Sequence, residues 1–196
     1  MTNRRAGRDP LSSRVVSRRR ITCLPSKPAV ARAAVVAILG ALASPATAVA
    51  AFTLTAPLTA SFAVTLDGSD QTRTYAPGLT VTDTRTTPTA GWNLTITSTQ
   101  FSAAGGKTLA TTASTITATT FSCVSGCAAN PTNSVAYPVA VPAGAGPPAA
   151  VKLYNAAANT GRGTFTITPT VTVAVSANTL TGSYTSTVTT ALISGP

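Results

Sequence analysis

Thr164-Phe165-Thr166-Ile167-Thr168-Pro169-Thr170-Val171-Thr172-Val173-Ala174-Val175 decides the fold class of this chain. The large apolar side chains fall on odd positions and the threonines on even ones. Successive side chains of a strand point to opposite faces, so this period-two pattern predicts a β-strand with one core face and one threonine face. Pro169 has no backbone N–H to give a ladder, which predicts an edge or bent strand. Beyond it Ala177 to Gly182 reads as a turn. Tyr184, Val188 and Leu192 then oppose Thr185, Thr187 and Thr189 on a final strand. Threonine ladders of this kind suit ice or a flat glycan, although β-propensity with a polar outer face accounts for them without any ligand.

The same alternation recurs upstream. Leu79 and Val81, then Trp92, Leu94 and Ile96, flank a Pro/Thr/Gly segment, which predicts strand, turn, strand over residues 79–101. Trp92, the one tryptophan, is expected as a core anchor, because aromatic side chains bury large areas on pleated sheets. The competing expectation is a recognition element in which Trp92 stacks on a sugar and Asn93 offers an amide. Asp83 and Arg85, two residues apart on an extended chain, project from one face within pairing distance and are expected to clamp a strand end.

Elsewhere Phe52 to Leu66 is a strand candidate broken by Pro57, with Phe62, Val64 and Leu66 on one face. Asp67-Gly68-Ser69-Asp70 reads as a hairpin turn; its acidic spacing lacks the further ligands and terminal Glu of a calcium loop. Gly105-Gly106 is a turn, and Ile116 to Phe121 a strand followed by a cysteine loop. Five prolines exclude residues 130–148 from a central strand, while Val135, Tyr137 and Val139 allow an edge strand there. Val151 to Tyr154 alternates again. With almost no sustained helical period, the chain is all-β, an antiparallel β-sandwich of the Ig-like or Greek-key type.

The N-terminus has a different character. Nine Lys/Arg precede Ala33, and the apolar run Ala33 to Ala43 has the length of a signal-peptide h-region, broken by Pro45 before Ala46-Thr47-Ala48 and Ala48-Val49-Ala50. Residues 1–48 are therefore expected to be a basic n-region and signal peptide, cleaved after Ala48 or Ala50, with residues 49–196 a single domain. Ser17-Arg18-Arg19-Arg20-Ile21 is only a weak twin-arginine match.

Cleavage changes the charge argument. The whole chain carries +10, but residues 49–196 hold five cations against three aspartates, a net charge of +2. A nucleic-acid partner is therefore not expected. Cys23 leaves with the signal, and Cys123 and Cys127 remain as an even pair in an exported chain, which predicts a local disulfide. No histidine completes a zinc set, so no metal and no cofactor are expected. The chain also has no glutamate. Asp67, Asp70 and Asp83 are the only mature carboxylates and lack the partners of general acid–base work, so no enzyme is expected.

Trp92-Asn93-Leu94, preceded by Asp83-x-Arg85 and Gly91, together with the closing Gly182-Ser-Tyr184-Thr-Ser-Thr-Val188-Thr and Gly195-Pro196, resembles the WxL-domain family of secreted cell-wall proteins of Gram-positive bacteria, in an actinobacterial version, over roughly Phe52 to Pro196. The second W-x-L of that family corresponds here to Thr190-Ala191-Leu192, so the second tryptophan is missing. The resemblance implies a secreted surface protein that binds the cell wall non-covalently through peptidoglycan or another wall glycan, without catalysis, with Trp92, Asn93 and Leu94 as ligand contacts. Other surface proteins are further candidate partners. No L-P-x-T-G-like sorting signal or C-terminal apolar tail is read, and no stable membrane anchor is expected after signal cleavage. The alternative is a structural subunit of a surface layer or fibre that self-associates through exposed strand edges.

Overall fold

Strand β11 (Arg162–Val175) forms the spine of the larger sheet in the computed structural model, which describes residues 52–86 and 90–195. Every odd position from Gly163 to Val175 is buried and the even positions are half-buried or exposed, as the alternation predicts. The expected signal peptide and cleavage sites, with Cys23, lie outside the described residues, as does Pro88 of the connecting segment.

The chain runs β1 (Phe52–Thr55), β2 (Gln71–Tyr75), β3 (Leu79–Asp83), β4 (Trp92–Thr99), β5 (Ser102–Ala103), β6 (Lys107–Thr108), β7 (Ser114–Ala129), β8 (Val139–Ala140), β9 (Ala143–Gly144), β10 (Val151–Ala156), β11 and β12 (Val188–Ser194). The larger sheet has the order β1-β3-β11-β7-β8, with β2 also on β11; the smaller has the order β10-β4-β12, with β9 on β4; β5 and β6 form a hairpin. The architecture is an all-β sandwich. Its pairings are antiparallel except β4 with β9, which is parallel.

Three expectations change. Pro169 does not lie on an edge strand, because β11 has partners on both sides. On one side, however, β3 ends at the Ile167–Leu79 pair and β2 begins at the Val171–Tyr75 pair. The proline sits opposite the break between them, where no ladder bond is called for. Next, the two strands around the Pro/Thr/Gly segment are not partners: β3 belongs to the larger sheet and β4 to the smaller. The connection carries the chain from one layer to the other. Finally, residues 61–66 form no strand, although Val64 and Leu66 still pack against buried neighbours, and the cysteine pair sits inside β7 rather than after it.

The main core lies between the sheets. Leu79, Val81, Ile116, Phe165, Ile167 and Val171 from the larger sheet pack with Trp92, Leu94, Ile96, Leu153, Tyr154, Ala156 and Leu192 from the smaller. A second cluster of Leu109, Ala113, Val173 and Val175 continues toward the C-terminal end of β11. The outward side of the larger sheet carries hydroxyl rows in register: Thr53, Thr82, Thr164 and Ser125 across four strands, then Thr55, Thr80, Thr166 and Ser122. Thr82 and Thr164 hydroxyls lie 3.2 Å apart. β-Branched side chains on a pleated surface suffice to explain these rows.

Candidate functional site

Gly91 admits the chain to β4. Its φ of +62° is left-handed, and a Cβ there would collide with the Ala156 carbonyl oxygen and lie 2.8 Å from that of Ala157. Only glycine tolerates both demands. Trp92 follows, fully buried, with its ring 5.9 Å from that of Tyr154, and its indole Nε1 donates to the Gly161 carbonyl at 3.0 Å. Leu94 is also fully buried, and Asn93 is 6% exposed.

The segment before β4 makes a charged clamp. Asp83 is 2% exposed, and its two carboxylate oxygens accept from Arg85 Nε at 2.8 Å and a terminal guanidinium nitrogen at 2.7 Å. The Arg85 backbone N–H donates to Asp83 Oδ1 as well. The guanidinium also donates to the Gly91 carbonyl at 3.0 Å and to Ser194 Oγ at 2.6 Å, and it lies over the Phe52 ring at 3.9 Å. A planar fork with five donors is what such a convergence requires.

Asn93 holds the chain's end. Its side-chain nitrogen donates to the Gly195 carbonyl, while the Gly195 N–H donates to the Gly91 carbonyl at 3.2 Å. Thr190-Ala191-Leu192, which occupies the second W-x-L position, lies on β12 directly beside β4, with Leu192 opposite Leu94 and Ser194 opposite Trp92. Arg85 and Asn93 thus close the final strand onto the strand of the tryptophan.

Asp83 and Arg85 are ion-paired at the end of β3. Of the three residues expected as ligand contacts, Trp92 and Leu94 are fully buried and Asn93 is nearly so. Sequence reading did not single out Gly161, Ser194 or Gly195 for contact with this strand; each reaches it from more than sixty positions along the chain, with no local signal.

A family model described as WxL domain, surface cell wall-binding, matches residues 48–196. The chain belongs to the WxL-domain family. No curated protein and no solved structure matches it. This WxL domain is accordingly a cell-wall-binding domain of the cell surface, and no helix among its described residues is long and apolar enough to cross a membrane.

Two further features of the WxL domain bear on its chemistry. Cys123 and Cys127 are disulfide-bonded, with Cα atoms 6.1 Å apart. They span a bulge in β7, where the pairing with β11 shifts between Thr164–Ser125 and Arg162–Ala129. Gly163 opposite has φ +120°, and a Cβ there would come within 2.6 Å of the Gly126 carbonyl oxygen. In the core, burial and then the nearby Tyr137 push the Tyr154 phenol up to about 12. Among the described residues no group of three His, Cys, Asp or Glu side chains is placed to hold a metal.

Proposed function

We propose that this WxL domain is exported and holds to peptidoglycan without a covalent bond and without catalysis. The observation that carries the reading is the family match, which spans the whole β-sandwich. The chemistry agrees with it. Asp83 is fully engaged by Arg85, and Asp67 accepts from Ser69 and Gln71, so these carboxylates serve turns and clamps. In this reading Trp92, Asn93 and Leu94 serve binding from beneath: they fix the frame that presents the surface.

The test incubates the purified full chain with isolated sacculi. Saturable binding fully reversed by denaturant, with an unchanged muropeptide profile, is the expected result. Absence of saturable binding, a fraction resisting denaturant, or newly cleaved muropeptides would each overturn one part of the proposal.

A self-associating subunit is the second reading, and β12 is the observation that favours it. It is an outer strand of its sheet with no proline and no charge over Val188–Ser194, and Val188 and Ile193 are exposed. Natural sheets usually protect such edges. Sedimentation that shows a monomer at high concentration for both the native chain and Ile193→Lys would dismiss this reading.

A further inference from the structure

A recess lies at the far end of β11 from the Trp92 clamp. Residues 162 to 175 span roughly 40 Å at the rise of an extended strand. There a cavity of about 600 Å³, partly open to solvent, is lined by the end of β11, the start of β2, strand β6 and the loop after β11. Its volume falls within the ordinary range of ligand clefts.

The polar groups around it are held in place yet not used up. Tyr184 O–H donates to the Leu180 carbonyl at 2.7 Å, which fixes the ring on the cavity wall. Lys107 Nζ donates to the Thr181 carbonyl at 2.8 Å and keeps two further donors. Asp70 Oδ1 accepts the Ala177 N–H at 2.7 Å, and Oδ2 has no hydrogen-bond partner of its own among the described residues. Gln71 turns its amide nitrogen to Asp67 and Ser69, which leaves its amide oxygen as an acceptor. Asn178, exposed at the rim, adds a side-chain amide. Behind them, Leu109, Ala113 and Val175 close the recess with buried apolar surface.

From this arrangement we infer that the recess between Tyr184, Gln71, Asp70, Lys107 and Asn178 binds the acetamido-sugar strand of the wall. The inference rests on the wall-binding reading above and assigns it a place. An amphipathic ring beside amide and hydroxyl groups suits a sugar, which has an apolar face and a polar rim. The charges on the lining are one carboxylate and one ammonium. A polyanionic wall polymer needs several cations along its track, and the recess has a single lysine. A partly open cleft also admits a segment of a long chain without requiring a free end.

The experiment compares the native full chain with Tyr184→Ala, Asn178→Trp and Thr166→Lys, each checked for native circular dichroism. Binding is measured to intact sacculi, to sacculi stripped of anionic polymers, and to the soluble β-1,4-linked tetramer of N-acetylglucosamine. Asn178→Trp fills the recess from an exposed position, so it stays informative if Tyr184→Ala weakens the fold. The expected result is a loss of about tenfold or more in affinity for stripped sacculi and tetramer in both recess variants, equivalent to about 1.4 kcal/mol. Thr166→Lys, on the threonine face, is expected to bind as the native chain does. Native binding that survives both recess variants overturns this inference and leaves the wall-binding reading standing. Loss of binding only in Thr166→Lys, or only on stripping the anionic polymers, overturns it in favour of the sheet face or of a polyanion. Failure of the native chain to bind any sacculus overturns both.

Discussion

Trp92 and Gly161 fit one another at a distance of sixty-nine residues. The indole N–H donates to the glycine carbonyl at 3.0 Å, and a Cβ on Gly161 would come within 2.6 Å of the same indole nitrogen. The hydrogen bond satisfies a fully buried donor, and the missing side chain makes room for the ring that carries it. Gly161 also has φ +73°, a conformation that L side chains rarely adopt.

Gly161→Ala should therefore destabilise the domain by about 2–3 kcal/mol, through both collision and backbone strain. Trp92→Ala, which empties a core site, should cost about 3–5 kcal/mol. Chemical denaturation followed by tyrosine fluorescence measures both. In the reading of Trp92 as frame, the fraction of Trp92→Ala that remains folded keeps its affinity for sacculi. Loss of wall binding in a demonstrably folded Trp92→Ala protein would restore the indole as a contact residue.

Arg85→Ala leaves the Asp83 carboxylate buried without its counter-charge, and the expected cost is about 3–5 kcal/mol. Arg85→Lys should recover little of it, because one ammonium cannot reach both Asp83 oxygens, the Gly91 carbonyl and Ser194 together. Removing both charges, with Asp83→Asn and Arg85→Leu, should be milder than Arg85→Ala alone. A double-mutant cycle in urea checks the ordering.

The raised Tyr154 phenol gives the fold an alkaline limit. The unfolded chain ionises near the ordinary value of 10.0 and the folded one at about 12, so folding favours the protonated form. Stability from this group is complete below pH 10 and falls between pH 10 and 12, by roughly 1.4 kcal/mol per pH unit over that window. Tyr154→Phe should flatten this fall. Thermal melts at pH 9 and 11 for the two proteins measure it.

Reduction of Cys123–Cys127 should loosen the β7 bulge without unfolding the domain. The bridge closes a loop of only four intervening peptide steps, and the loop-closure argument assigns it about 2 kcal/mol. A melting temperature lower by about 4–8 °C in reductant is the expected reading for a chain of this size. Complete loss of the transition would assign the bridge a larger role.

Much of this was legible locally. The odd positions of β11, the turn at Gly105-Gly106 and the Asp83–Arg85 pair each depend on neighbours a few residues away, where strand periodicity and reach are fixed by covalent geometry. The alternation of β4 was legible only on one face. Asn93 and Thr97, on the face opposite Trp92, Leu94 and Ile96, are buried as well, because the Pro148 carbonyl and Gly195 cover that side and accept their hydrogen bonds.

By itself, then, the sequence determined that the chain from Phe52 onward would be built of strands joined by turns, which faces of most of those strands would be apolar, and that the chain carried the W-x-L signature of its family. These follow from propensity, period and spacing along one strand. Which strands would pair, that Pro169 would sit in the middle of a sheet opposite a break, and that Trp92 would point inward to Gly161 were decided only by tertiary structure. A strand exposes identical backbone donors and acceptors along its whole length, so its partners are selected by how the finished core closes around bulky groups such as the indole.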